Sequence, residues 1–567
     1  MSINIKIILC LTISVVGLSI PTHAQFIYHT NLTSGYQPVS ISIAGYTGTN
    51  PVVLIPEVAN GLPVTAIADS AFAHNVIVSS VTTSTNITSL LPHTFENCTS
   101  LTNFDIPAVT NIDAFAFAGC SKLSSVTIAS NITVLGQGAF QFCSGITNLL
   151  MAEGVLNLGG AAFFGCNGLT SVTVPNSVAQ IGAQAFNGCA NLNAILVDPG
   201  NANYTSLTGV LFNKDQTVLI EYPGGKIGNY NMPDTVVSTA VTSFYGHTRL
   251  TGVTFSTNLT SIGMYSFDSC AGLTNVVLPP SLTSIGALAF ANCTGLPSIT
   301  IPAAVTAIEN SAFSNCAGLT NFSIDAGNPF YSSLDGVLFD KLQTRLIQYP
   351  PGKSGDYAIP NTVTTIGNSA FWYCTFSNIS ISESVNSIEQ FAFTGCTHLL
   401  HLRIPNSVTS IGQYAFDDCE GLDTITIGTG LTNLQYNAFY YCLNLTGVYF
   451  ESNPPTLGPP VFQLGNGTTA FYLPGTSGWG PTFGGCPTAI WNPQAIIGNG
   501  TLGSAADGFS FTIIGASNLV TVVETCTNLT TAVWSRLQTN KLFNGTALFS
   551  DSDSTNHPTR FYRFALP

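Results

Sequence analysis

Charge is what this chain has least of. Only 7% of its 567 residues are Asp, Glu, Lys or Arg, with 13 basic against 27 acidic, for a formal net charge of −14. Nucleic-acid recognition needs clustered Lys and Arg on one face, so that class of partner is excluded. Methionine and tryptophan are also scarce, at four each. Beyond residue 24 no apolar run approaches the 18 or so residues of a membrane span, so no transmembrane segment is expected in the mature chain. The familiar catalytic signatures are missing as well. There is no H-E-x-x-H, no G-x-S-x-G and no phosphate-binding glycine loop. His398 and His401 are close in sequence but lack a carboxylate partner for a metal site. Asp417, Asp418, Glu420 and Asp423 cluster without the alternating spacing of a calcium loop, and a solvated turn is the reading they favour. Acidic residues shift position from one repeat to the next, which does not suit the fixed pair a glycosidase needs. No enzyme activity, cofactor or metal is expected.

What is present is repetition. A phrase of small residue, Phe, two variable residues and Cys recurs twelve times, at Cys98, Cys120, Cys143, Cys166, Cys189, Cys270, Cys293, Cys316, Cys374, Cys396, Cys419 and Cys442. Apart from two gaps the spacing is 22 or 23 residues, the mark of stacked repeats. A full period reads C-x-x-L-T-x-V-x-I-P-x-S-V-T-x-I-G-x-x-A-F-x-x-C. Leu273, Val276 and Leu278 suit a short strand, Leu282 and Ile285 a second extended stretch, Gly286 a turn, and Ala287 to Asn292 one turn of helix or 3₁₀. The fold class expected is therefore a stacked-repeat solenoid, β-rich with short helical or 3₁₀ turns. Residues 25–58 form its N-terminal cap, and residues 59–490 form the solenoid.

Residues one rung apart lie at about the 4.8 Å inter-strand spacing and point the same way, which suits a ladder of buried thiols better than disulfides. The slot also tolerates substitution. Stepping by 23 lands on Asn75, His247 and Gly465, each with its Phe three residues earlier. Cys486 and Cys526 lie outside the ladder and could pair.

The two gaps are copies of one another. Tyr204 through Gly209-Val210-Leu211-Phe212 to Tyr222-Pro223-Gly224-Gly225-Lys226 returns 127 residues later as Tyr331 through Gly336-Val337-Leu338-Phe339 to Tyr349-Pro350-Pro351-Gly352-Lys353. Each adds 35 residues, about 198–232 and 325–359, and reads as a β-hairpin. Such an insert is either a protruding finger or an embellished rung, and the second is favoured. Residues 1–24, with Lys6, an apolar stretch from Ile7 to Ile20 and Thr22-His23-Ala24, read as a signal peptide, which predicts a secreted or cell-surface location. Residues 497–567 lack the repeat and read as a small all-β module.

The repeat phrase, above all Leu282-Thr283-Ser284-Ile285-Gly286 with Ala289-Phe290 and Cys293, resembles the BspA-type (Treponema-like) leucine-rich repeat, and the insert motif resembles a variant rung of that family. The likeness spans about residues 38–490. It implies an exported or surface protein of a family associated with adhesion to host or matrix proteins and to other cells. The C-terminal module, ending Arg560-Phe561-Tyr562-Arg563, is similar to terminal modules on secreted proteins of Verrucomicrobia-like bacteria. The expected function is non-enzymatic binding of an extracellular protein or glycan through the solenoid surface. The alternative is a structural spacer that displays, or is anchored by, the C-terminal module. Tyr373, Tyr440 and Tyr441, in the variable positions between Phe and Cys, are the candidate ligand-binding residues.

Overall fold

The computed structural model describes residues 25–32, 36–462, 467–496, 504–505, 508–557 and 559–567. The expected signal peptide, residues 1–24, and Gly465 lie outside these. The chain divides into two units, residues 1–192 with 197–203, and residues 193–196 with 204–567.

In the first unit, Pro38–Tyr46 pairs antiparallel with Phe26–Leu32 and parallel with Leu62–Ile67. Its alternation buries Ile41 and Ile43, and Tyr46 stacks on Phe72 at 5.4 Å between ring centroids, giving the first rung its cover. From there the rungs build two rows of short parallel strands. One row is a five-stranded sheet of Ser89–Leu90, Asn111–Ile112, Val134–Leu135, Asn157–Leu158 and Gln180–Ile181. The other uses the V-x-I strands, as where Ser125–Ile128 pairs with Asn148–Met151. The phenylalanines form a column from Phe72 through Phe95, Phe117, Phe140 and Phe163 to Phe186. Successive centroids are 5.0 to 5.7 Å apart and the interplanar angle falls from 32° to 3°. Each ring is fully buried, worth about 1.5–3 kcal/mol of transfer energy apiece.

The cysteines lie beside that column as free, buried thiols. Eleven of the twelve donate from Sγ to the carbonyl of the phenylalanine one rung back, at 2.9 to 3.2 Å. Cys374 sits 4.0 Å from the Tyr349 carbonyl. Burial pushes the thiols of Cys98, Cys166 and Cys316 up to about 12, so they remain protonated donors and poor nucleophiles. His247 fills the slot on the same terms, its Nε2 meeting the Tyr222 carbonyl. Cys486 and Cys526 are also free, so the pairing open to them in the sequence is not made.

The turn that carries Phe and Cys is not a helix turn. Its alternate N–H groups make i→i−3 bonds, such as Ala291 to Leu288 at 3.2 Å and Cys293 to Phe290 at 3.3 Å. The N–H groups between them reach the next rung, Leu288 to Asn310 at 3.2 Å, Phe290 to Ala312 at 2.8 Å and Asn292 to Ser314 at 2.9 Å. This alternation needs left-handed backbone five residues and one residue before each cysteine, as at Leu288 (φ 56°) and Asn292 (φ 57°). Left-handed residues interrupt any run of helical dihedrals, so the expected helical or 3₁₀ turn gives way to an inter-rung ladder. Gly286 serves close approach instead of a turn: a Cβ there would lie 2.7 Å from the Met264 nitrogen.

The second unit holds two more columns, and each opens on a tyrosine of an insert. Tyr222 leads Phe244, Phe267, Phe290 and Phe313; Tyr349 leads Phe371, Phe393, Phe416, Phe439 and Phe462. The insert is thus partly a rung. Tyr204–Leu207, Val210–Asn213 and Val218–Glu221 run antiparallel, and Val218–Glu221 then pairs parallel with Ser238–Thr239, the first of the repeat strands that follow. Tyr331–Leu334, Val337–Asp340 and Arg345–Gln348 repeat this before Thr365–Ile366.

At the C-terminal end, strand Gln494–Ile496 already belongs to the β module, paired with Gly508–Ile514. That strand also pairs with Thr546–Asp551, while Ser535–Lys541, Val520–Cys526 and Phe561–Ala565 form a second antiparallel sheet. The module lies on the solenoid sheet. Tyr449 and Phe471 share a buried cluster with Phe511, Ile513, Leu519, Val520, Val523, Leu542 and Phe549. The Val520 N–H donates to the Tyr449 hydroxyl at 2.7 Å, and the Thr426 hydroxyl donates to the Pro567 carbonyl at 2.9 Å.

Candidate functional site

Every rung carries the same three variable slots on its turn, five, two and one residues before the cysteine position. Their exposure differs: Ala291, Ser314 and Thr394 are buried, whereas Tyr373 and Tyr441 are exposed. The first and last are left-handed, a conformation that costs a non-glycine residue roughly 1–2 kcal/mol and that Gly, Asn and Asp adopt most readily. Many rungs use such residues, as with Gly138, Gly165, Asn97, Asn292 and Asn315. The last run of rungs keeps Gly395, Asp418 and Asn437 in these slots but fills four others with aromatics. Tyr373, Phe391, Tyr414 and Tyr441 all have φ between 51° and 58°. The inter-rung bonds, such as Phe391 N–H to Gln413 at 3.0 Å and Tyr373 N–H to Thr394 at 2.8 Å, hold these bulky residues there.

Their rings join into one strip. Trp372 meets Phe391 at 5.6 Å, and Phe391 stacks on Tyr414 at 5.4 Å and 17°. Tyr414 receives Tyr436 and Tyr440 edge-on at 5.7 and 6.0 Å, and Tyr440 crosses Tyr441 at 4.5 Å and 85°. Tyr373 joins through Trp372 at 6.4 Å. Tyr373 and Tyr441 are 40% and 41% exposed, and Tyr440 is half-buried.

The strip has an acidic border. The Tyr373 hydroxyl donates to Asp418 Oδ2 at 3.3 Å. Burial, reinforced by the neighbouring Asp418 charge, raises the Asp417 carboxyl to about 6. Asn437 Nδ2 donates to the Tyr414 hydroxyl at 3.1 Å, while its buried Oδ1 has no partner among the described residues. The other acids named from the sequence point elsewhere: Asp423 accepts from Thr446 at 2.7 Å and from Lys541 at 3.3 Å. His401 Nδ1 contacts the Thr424 hydroxyl at 2.8 Å, at the edge of the opposite sheet row.

The structure therefore connects Tyr440 directly to Tyr441 and links Tyr373 to them through residues the sequence reading left out, Trp372, Phe391 and Tyr414, with Tyr436 set against Tyr414. One signal could have found two of them. Phe391 and Tyr414 are 23 apart, each immediately before an Ala-Phe pair. The same slots elsewhere form single pairs, His93 on Phe115 at 5.2 Å and Phe142 against Phe164 at 5.5 Å.

Comparison with known proteins gives the class. The BspA type leucine rich repeat region matches in six copies, over residues 65–193, 222–334 and 354–467, more than half of the chain. The chain belongs to that family, a class of repeat proteins. No curated protein matches it. Among solved structures it is similar to a leucine rich cell surface protein from Faecalibacterium prausnitzii A2-165, at 26% identity over 64% of this chain and 94% of that one, with a TM-score of 0.46. It is also similar to the pneumococcal vaccine antigen PcpA, at 18% identity over 76% and 93% with a TM-score of 0.48. A third likeness is to the T. pallidum leucine rich repeat protein, at 22% over 45% and 90% with a TM-score of 0.24. No helix among the described residues is long and apolar enough to cross a membrane.

Proposed function

We propose that this chain is an extracytoplasmic, non-enzymatic binding protein of the adhesion kind, and that the aromatic strip from Trp372 to Tyr441 is its contact surface for an extracellular protein. The strip carries the proposal. Tyrosine and tryptophan dominate the energetic centres of protein interfaces, where a rigid aromatic body is buried and a polar tip finds a partner. Four members of the strip, Tyr373, Phe391, Tyr414 and Tyr441, occupy left-handed positions that Gly or Asn would fill at lower energetic cost, a pattern that fits strain kept for function. Asp417 and Asp418 suit a partner presenting Lys or Arg at its rim. Location outside the cytoplasm is supported by the signal-like residues 1–24 and by family membership.

The spacer alternative draws no support from the C-terminal module, which lies against the rungs with Tyr449 in its core. The test is binding of the full chain to a panel of immobilised extracellular matrix and serum proteins, with Tyr414→Ala and Tyr441→Ala beside it. A partner whose binding falls roughly 30-fold or more in either variant, the range expected of a hot spot worth about 2 kcal/mol, supports the strip. Partners that bind both variants as tightly as the natural chain place the function elsewhere.

A further inference from the structure

The second insert leaves a defect in the ladder, and the defect is a cleft. In the other rungs of this unit the N–H five residues before the cysteine slot and the N–H of the column aromatic both donate to the next rung, as do Tyr265 to Ala287, Phe267 to Ala289, Phe391 to Gln413 and Phe393 to Ala415. On the rung of Cys316 the corresponding groups are Ser311 N–H and Phe313 N–H, and neither meets an acceptor among the described residues. The next column begins afresh at Tyr349, so the ring stack is broken after Phe313. The edge strand Ala307–Ile308 is closed off differently: the Tyr331 hydroxyl accepts from Ile308 N–H at 2.9 Å and donates to the Thr306 carbonyl at 3.3 Å.

Between the two blocks lies a cleft of about 270 Å³, with Phe313, Tyr331 and Leu338 on its apolar wall and Glu309, Asn310 and Asn368 on its polar one. It falls just below the roughly 300–1,000 Å³ of pockets that hold drug-sized ligands. From Asn368 a second groove of about 280 Å³ continues past Ser387, Gln390, Ser410 and Gln435. Arg345 of the cleft is held bidentate by Glu389, and the Asp340 carboxylate is occupied by Thr344 and by the Arg345 N–H. Glu309 has no ion pair among the described residues.

We infer that the cleft and its groove bind a neutral oligosaccharide, with a terminal pyranose in the cleft and the adjoining unit along the groove. Two row-aligned backbone N–H groups in a left-handed turn form a concavity for acceptor oxygens. An anion would meet three carboxylates, Glu309, Asp340 and Glu389, against the single guanidinium of Arg345, so the acceptor must be uncharged. Sugar hydroxyls both donate and accept, matching the N–H pair, the free Glu309 carboxylate and the amides of Asn310 and Asn368. Phe313 and Leu338 are fully buried and form the floor beneath these polar groups. The groove beyond offers the hydroxyls and amides of Ser387, Gln390, Ser410 and Gln435, beside the Arg345-paired Glu389 carboxylate. An extended peptide could also use the N–H pair, but the Tyr331 hydroxyl already covers the strand edge it would add to.

This inference stands apart from the aromatic strip, and the experiment keeps the two separate. The full chain is titrated calorimetrically with neutral di- to tetrasaccharides ending in hexose or N-acetylhexosamine, with uronic- and sialic-acid-capped counterparts, and with extended neutral peptides. The expected result is saturable binding of at least one neutral sugar, weakened tenfold or more by Glu309→Gln, by the occluding Asn310→Trp and by the surface variant Ser387→Ala combined with Gln390→Ala. Tyr441→Ala should bind sugar normally. The inference is overturned if no neutral sugar saturates at millimolar concentration. It is equally overturned if the cleft and groove variants bind as the natural chain does, or if acidic sugars or peptides bind in place of neutral ones.

Discussion

The rungs around Cys293 and those around Cys419 share a core and differ in everything outside it. Phe267, Phe290 and Phe313 stack at 5.1 and 5.5 Å, and Phe393, Phe416 and Phe439 at 5.0 and 5.2 Å, with interplanar angles of 3° to 6° throughout. Both runs bury a thiol that donates to the carbonyl one rung back. In the first run the outward slots hold Leu288, Ser311 and an amide ladder, Asn315 to Asn292 at 2.7 Å and Asn292 to Asp268 at 2.7 Å. In the second they hold the aromatic strip. The opposite sheet row differs too: Ser298 and Thr300 are exposed, whereas Thr424 and Thr426 are buried at the end the C-terminal module covers. In this protein the scaffold and the surface vary independently, because the inter-rung bonds that hold each turn are made by backbone and leave the outward side chains free.

That independence can be broken in measurable ways. The largest effect is expected at the shared core. Phe290→Ala and Phe416→Ala should each destabilise by about 3–5 kcal/mol, by equal amounts if the two runs truly share a scaffold. Hydrogen exchange is the right measurement, since a stacked array need not unfold in two states. Tyr449→Ala should come close, at about 3 kcal/mol or more, because it removes a buried ring and the acceptor of Val520 N–H. Limited proteolysis should then cut the C-terminal module while the rungs around Cys293 stay protected.

A smaller effect distinguishes the slot residues. Cys293→Ala should cost about 1–2 kcal/mol for the lost thiol hydrogen bond and volume, whereas Leu288→Ala on the outward slot should be near neutral. Titration with a thiol reagent should find almost no reactive cysteine in the native chain and the full set after unfolding without reductant. The smallest effect depends on pH. Burial lowers the His247 pKa below its ordinary value despite the carbonyls around it. The folded state thus keeps the imidazole neutral while the unfolded state takes up a proton below about 6.5. This contribution is present above that pH and is lost as pH falls from there toward the folded value. His247→Cys should flatten the pH dependence of stability below about 6.5, and an unchanged profile would show that the slot does not hold the neutral ring.

Much of this was legible in the chain. The 23-residue period, the phenylalanine column and the free-thiol ladder follow from spacing and from the swaps at Asn75 and His247, since only a packing and hydrogen-bonding slot accepts them. Tyr222 and Tyr349 were harder to place. They lie in segments that break the count, and their role as column heads depends on where the hairpin returns the chain. Tyr373, Tyr440 and Tyr441 were visible as variable positions between Phe and Cys; Phe391 and Tyr414 precede the Ala-Phe pair and lie outside that window, and only their 23-residue spacing marks them.

By itself, then, the amino-acid sequence determined the repeat, its core and its family, because a periodic burial pattern has only one economical solution: stacking like on like. Tertiary structure alone decided which outward residues meet, where the C-terminal module lies and where the ladder opens into a cleft. Those depend on contacts between residues of different rungs and different segments, for which no local pattern exists.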